Sequence, residues 1–259
     1  MIKIVAGLGK NKNILKAVEK IGNIKDLEVA TAKSGKQLFK FLISDEVDGV
    51  VRGSLPSSSI MKTMRRHYNK PINRATYIKE KRNNEHYEFL LAPVGIDEAS
   101  SLDEKVNLAI QSSKFLKTID LKPKIAILSS ARKDDFGRGD FINKSLQDGE
   151  KLYNELKNSS FNGLDDVEVK NYYILLEKAI KEKNNLILCP NGVIGNIIFR
   201  SLVLLNSWNS YGAVTLGIDD IFIDTSRDQS VEGYLRSLKL AYQIAKSKKI
   251  VNQTKSDRM

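Results

Sequence analysis

At 259 residues the chain can bury a full hydrophobic core and divide it over two domains, and 41% hydrophobic with 28% charged residues excludes long disorder. A single cysteine and two histidines exclude a disulfide framework and a Cys/His zinc site, so no metal is expected. No run approaches the roughly 18 apolar residues of a membrane helix, and the start MIKIVAGLGKNKN lacks a signal-peptide layout, so a cytoplasmic protein without a membrane partner is expected.

The first elements alternate strand and helix. IKIVAGL reads as a strand, Lys12 to Ile21 as a helix with Ile14, Leu15, Val18 and Ile21 on one face, then LEVATA as a strand and Gly35 to Leu42 as a helix. DGVVRG is the third strand, and Ser57 to Tyr68 a helix striped by Ile60, Met61 and Met64. Next, Lys62 to Arg82 carries Lys62, Arg65, Arg66, Lys70, Arg74, Lys79, Lys81 and Arg82 against Glu80 alone, a local basic patch within a net charge of +11. No nucleic-acid module accompanies it and aromatic residues make up only 7% of the chain, so a solvated surface is expected rather than a nucleic-acid partner. FLLAPVG is a strand, and Leu102 to Phe115 a helix with Val106, Ala109, Ile110 and Ser113 inward.

A second series follows LKPK. KIAILSSA is a strand, DFINKSLQDGEKLYNEL a helix, VEVKNYYILLEKAIKEK a short strand running into a helix, and NLILCPN a strand followed by a helical pattern from Val193 to Leu205. Short strands fill Tyr211 to Ile223, Val231 to Ala245 is the last long helix, and the basic tail KSKKIVNQTKSDRM is expected to fray. This order predicts an α/β fold with mainly parallel strands.

Ligands in open α/β sheets bind beyond the carboxyl ends of the strands. Five such segments are rich in Gly, Ser, Asn or Arg: GLGKNKN, RGSLPSSS, SSARKDDFGRGD, PNGVIGN and DTSRDQS. Backbone N–H, hydroxyl, amide and guanidinium donors of this kind suit phosphate or an oxyanion. Gly7-Leu8-Gly9 begins like a dinucleotide fingerprint, but Lys12 stands at the third glycine's place, so an ordinary strand-to-helix turn is expected. Arg52, beside Gly53 and two residues before Ser54, has the chemistry of a bidentate phosphate clamp. In DTSRDQS, Ser230 reads as a helix cap with Glu232 in the first turn, which leaves Ser226 and Arg227 unexplained. Cys189, at the end of an apolar strand, reads as a small buried hydrophobe rather than a nucleophile.

From residue 1 to about 246 the chain resembles the phosphate acetyl/butyryltransferase family, most closely its methanogen branch, the MtxX or methanogenesis marker protein 4 group. The segments that carry the likeness are IKIVAGLGKNKNILKAV, VDGVVRGSLPSSSIM, KPKIAILSSA, CPNGVIGNIIFRSL and GAVTLGIDDIFIDTSRDQSVE, in family order, the last two being the most specific. The resemblance implies two α/β domains flanking a cleft, as in isocitrate and isopropylmalate dehydrogenases. They would span 1–120 with 224–259, and 121–223. It implies a homodimer and a transferase acting on a phosphorylated or coenzyme-linked acyl substrate. Coenzyme A or a related thiol coenzyme would be a substrate, with no tightly bound cofactor. Carried over, Ser226 would hydrogen-bond the thiol or oxyanion and Arg227 would stabilise developing negative charge. Arg52, Ser54, Ser129, Arg132, Asn191, Gly195 and Asn196 would bind and shape the substrate site. A methanogenesis-linked methyl transfer and a non-catalytic binding role are the alternatives. The family acid falls at Gly233, its histidine at Pro56, and the loop Arg132, Lys133, Asp134, Asp135 replaces small polar residues.

Overall fold

Apolar strand sequences and amphipathic helices alternate through β1 (Ile2–Gly7), α1 (Asn13–Ile21), β2 (Leu27–Ala32), α2 (Gly35–Leu42), β3 (Gly49–Val51), α3 (Ser57–Tyr68), β4 (Asn73–Arg82), β5 (Glu85–Ala92), α4 (Leu102–Thr118) and β6 (Lys124–Leu128). The chain continues through α5 (Asp140–Asn158), β7 (Glu168–Tyr173), α6 (Leu176–Lys181), β8 (Leu186–Leu188), α7 (Gly192–Phe199), β9 (Ser210–Leu216), β10 (Phe222–Asp224) and α8 (Val231–Ser256). The structure, a computed structural model, describes residues 1–158 and 166–256. Among the described residues no helix is long and apolar enough to cross a membrane.

Two compact units result, Met1–Ile72 with Ser210–Met259, and Asn73–Asn209. In the first, the strands run β2-β1-β3-β10-β9, parallel except where β9 lies antiparallel to β10. Val5, Leu38, Val50, Ile60, Met64 and Phe222 form the centre of its core. In the second unit the order is β4-β5-β8-β6-β7, an antiparallel β4–β5 hairpin extended by parallel strands. Ile78, Phe89, Leu91, Ala126, Ile187 and Cys189 pack together there. These units differ from the division expected from the sequence in residues 73–120 and 210–223. Strand β5 pairs with β8, which draws 73–120 into the second unit, while β9 pairs with β10 in the first.

Four local expectations are corrected. Strand β4 was hidden by its charges: Lys79 pairs with Glu88 across the hairpin and Arg74 with Glu98, so part of the basic run is neutralised in place. Helix α4 buries Leu108, Ser112, Phe115 and Leu116 beside the expected Ala109 and Ser113, a shifted face in which two small serines admit close packing. The pattern from Val193 to Leu205 is α7 followed by a π-helical segment, Arg200–Leu205. Finally, α8 continues beyond Ala245 because its lysines find anchors: Lys246 lies 3.5 Å from Asp26, Lys249 lies 2.9 Å from Asp48, and Lys248 donates to the Asp219 carbonyl. The last tail residues, 257–259, lie outside the described residues.

Candidate functional site

The glycines of the first unit explain how its strand ends come together. A Cβ on Gly7 would collide with the Arg52 carbonyl oxygen, and one on Gly9 with that of Ser54. Gly53 has φ +59°, a left-handed value that favours glycine, and faces the Gly7 carbonyl. The Gly-x-Gly segment therefore lets two backbones touch, as a strand-to-helix turn. Ser54 locks the contact: its Oγ accepts the Gly9 N–H at 2.8 Å and donates to the Asn11 carbonyl at 2.9 Å. Arg52 is 4% exposed, and its guanidinium pairs with Asp224 of β10 and donates to the Leu55 carbonyl. Both side chains join the β1, β3 and β10 strand ends within the unit.

That frame holds the segment between β10 and α8 from behind. The Thr225 hydroxyl donates to the Gly53 carbonyl at 2.8 Å. The Asn11 amide donates to the carbonyls of Arg227 at 3.2 Å and Gln229 at 3.0 Å, and the Asn13 amide reaches Gln229 at 3.3 Å. The buried Tyr234 hydroxyl, one turn into α8, is shared between the carbonyls of Arg227 at 2.7 Å and Ser226 at 3.1 Å. Burial pushes the Tyr234 pKa up, which keeps the phenol protonated as a donor. Ser230 caps α8 as expected, its Oγ accepting the Gly233 N–H at 3.1 Å.

With the backbone fixed, the side chains of Ser226 and Arg227 are exposed, and neither has a hydrogen-bond or ion-pair partner among the described residues. A loop held at its backbone thus presents one hydroxyl and one guanidinium, the donor set an oxyanion or phosphate takes. Asp228 and Glu232 are the carboxylates that follow them in the chain. A Cβ on Gly233 would meet the Gln229 side chain, a flexible neighbour that would have to swing aside. Glu232 lies 2.5 Å from Lys20, which lowers its pKa. Asp228 is exposed and unpaired among the described residues.

In the second unit the predicted residues serve mostly as local fasteners. The Asn191 side chain caps α7 by accepting the Ile194 N–H at 3.0 Å, and the Asn196 amide donates to the Val94 carbonyl at 3.1 Å. Gly195 faces the Pro93 carbonyl and Gly192 that of Gly95, approaches that no side chain would allow. Ser129 is buried, and its Oγ has no partner among the described residues. Arg132 is exposed in the loop after β6, its backbone N–H donating to Asp135 at 2.9 Å. Cys189 is buried, which pushes its thiol up to about 12 and leaves it without thiolate character at neutral pH. Among the described residues no group of three or more His, Cys, Asp or Glu is placed to hold a metal ion.

Sequence reading missed Asn11, Asn13 and Tyr234, the residues that hold the Ser226–Gln229 backbone. The signal for Tyr234 was its place four residues after the capping Ser230, which turns it back toward the loop on the first turn of the helix.

A mainly parallel α/β chain of this form has the fold of the phosphotransacylases. A branched-chain phosphotransacylase from Enterococcus faecalis superimposes with TM-score 0.71 at 17% identity, covering 95% of this chain and 99% of that one. A phosphotransacetylase from Streptococcus pyogenes gives 0.64 at 16% identity, covering 96% and 94%. No protein-family model matches the chain. In sequence, an uncharacterized methyltransferase of Methanocaldococcus jannaschii is 35% identical over 246 residues, 92% of this chain and 96% of that protein. The mtx subunit X of Methanosarcina acetivorans, also named as a methyltransferase, is 32% identical over 213 residues, 82% of this chain and 72% of its own. The chain belongs to this MtxX family of methanogen proteins.

Proposed function

We propose that the protein is a transferase acting on a phosphorylated or coenzyme-linked acyl substrate, with coenzyme A or a related thiol coenzyme as co-substrate. The observation that supports this reading is the Ser226–Arg227 pair, held by its backbone and free in its side chains. In acyl transfer, the thiol sulfur forms a bond to the carbonyl carbon of an acyl phosphate, the bond from that carbon to the phosphate oxygen breaks, and phosphate leaves with the electron pair. The thiol proton passes to a base or to water. Ser226 would donate to the carbonyl oxygen as it gains charge, and Arg227 would meet the departing phosphate. Such donors act most strongly when fixed in advance, and the hydrogen bonds to the Ser226 and Arg227 carbonyls hold the backbone from which both side chains would reach.

A second reading, ligand binding without turnover, is favoured by the surroundings of Gly233. Gly233 supplies no carboxylate and Glu232 is paired with Lys20, which leaves Asp228 as the remaining candidate base. A base contributes about 10²- to 10⁴-fold in such reactions, so its absence would leave a slow enzyme or a binding protein. Methyl transfer, which the names of the relatives suggest, draws on no feature of the loop that acyl transfer does not share.

Coenzyme A-dependent consumption of acetyl and butyryl phosphate should be measured beside transfer from methyl-corrinoid donors. Acyl transfer that disappears in Ser226→Ala supports the proposal. Methyl transfer alone replaces it, and saturable binding with neither activity moves the reading to a binding protein. The same reading carries a cytoplasmic protein and a homodimer, and light scattering of the purified protein would test the dimer.

A further inference from the structure

The second unit contains a cavity of about 250 Å³ whose position follows from the strand order. Strand β6 pairs with β7 on one side and β8 on the other, so the chain leaves β6 in one direction and returns on the opposite side. This is a switch point, the place where open α/β sheets form a crevice beyond the strand ends. The cavity lies there, lined by Leu128 at the end of β6 and Ser130 after it and by Cys189, Pro190 and Asn191 after β8, with α4, the Ser100 ahead of it and α5 supplying most of the rest of the wall.

Its lining has a definite charge and polarity. Lys105 of α4 is partly buried and has no carboxylate within ion-pair distance among the described residues. Lys144 and Asp148 of α5 also line the cavity and pair with each other at 2.9 Å. Two ammonium groups against one carboxylate leave a net charge of +1, centred on Lys105. The Ser145 hydroxyl accepts the Ser130 N–H at 2.9 Å and donates to the Ser130 Oγ at 3.0 Å, which leaves the Ser130 hydrogen available to a ligand. The lining also holds the polar Ser100 and Asn191, the latter's side-chain oxygen engaged by the Ile194 N–H, and an apolar part that includes Leu128, Leu152 and Cys189. The volume falls below the range typical of drug-sized ligands.

We propose that this cavity binds a small aliphatic monoanion of the carboxylate class, its charge on the Lys105 ammonium and the Ser130 hydroxyl and its chain over Leu128, Leu152 and Cys189. A single excess positive charge matches a monoanion, and Asp148 disfavours a dianion. Burial lowers the pKa of Lys105, with Asp148 offsetting part of the effect and Lys144 adding to it, as expected for an ammonium that gains by meeting an anion. The argument does not depend on Ser226 or Arg227.

Calorimetric titration of the intact protein with butyrate and with inorganic phosphate, at matched ionic strength, tests this. Butyrate should bind saturably and more tightly than phosphate. Lys105→Gln should weaken butyrate tenfold or more, and Asp148→Asn should shift the preference toward phosphate. The proposal is overturned by absence of saturable butyrate binding, by tighter phosphate binding in the unaltered protein, or by a folded Lys105→Gln variant that binds butyrate as before. Should Lys105→Gln fail to fold, an unchanged preference in Asp148→Asn overturns it alone.

Discussion

Two strand-to-helix handovers, DTSRDQS in the first unit and PNGVIGN in the second, look alike in sequence, since both offer small polar residues where a ligand would be expected. Their structures differ in who holds the backbone. In PNGVIGN the motif residues do it themselves, with Asn191 capping α7, Asn196 bonded to the Val94 carbonyl, and Gly192 and Gly195 admitting close contacts. In DTSRDQS the flanking Asp224, Thr225 and Ser230 are likewise engaged, but the carbonyls of Ser226, Arg227 and Gln229 are held by Asn11, Asn13 and Tyr234 from other elements, so the side chains of Ser226 and Arg227 remain available. A polar motif becomes a candidate for chemistry when its backbone is satisfied by something else.

The largest expected effect would break the frame on which the first loop rests. Arg52→Ala or Asp224→Ala should each destabilise the protein by about 3–5 kcal/mol, because each removes one side of a buried ion pair. A denaturant titration checks this, and a loss below about 1 kcal/mol would show that Arg52 is not structural. Gly195→Ala comes next, at about 1–3 kcal/mol, since the added methyl meets the Pro93 carbonyl. It should lower stability whether or not ligand is present, which separates the packing role of PNGVIGN from a binding role.

Tyr234→Phe sharpens the comparison from the other side. It removes the donor shared by the Ser226 and Arg227 carbonyls and should cost about 1 kcal/mol of stability. Any ligand affinity of the loop should fall with it, although Tyr234 is buried behind the loop; unchanged affinity would mean that the clamp does not position the pair. The smallest effect concerns the exposed Lys20–Glu232 pair. The Glu232 pKa is lowered in the folded protein, so its contribution is present above the ordinary glutamate pKa and is lost as pH falls through the lowered value. Lys20→Ala should reduce that acid-side loss, Arg236 and Lys239 retaining part of it, while barely changing the melting temperature at neutral pH.

Much of the fold was legible because hydrophobic periodicity is local. LEVATA, the helix Gly35 to Leu42 and the helix Ser57 to Tyr68 match β2, α2 and α3 to the residue. Strand β4 was not legible, because its charges are balanced by Glu88 and Glu98, partners that only the fold supplies. The end of α8 was hidden for the same reason, its lysines being anchored by Asp26, Asp48 and the Asp219 carbonyl. At the candidate site, Ser226 and Arg227 stood out because helix capping explained their neighbour Ser230 and not them. The structural engagement of Arg52 was invisible, since a clamp for phosphate and a partner for a buried Asp224 demand the same guanidinium.

The central claim is that Ser226 and Arg227 act on substrate without carrying the fold. Its most direct test is coenzyme A-dependent consumption of acyl phosphate by the unaltered protein, Ser226→Ala and Arg227→Gln, each paired with a thermal melt. The account predicts turnover in the unaltered protein and its loss in both variants at an unchanged melting temperature, as for exposed side chains without partners. Turnover that survives both substitutions, or that falls only in step with the melting temperature, would contradict it.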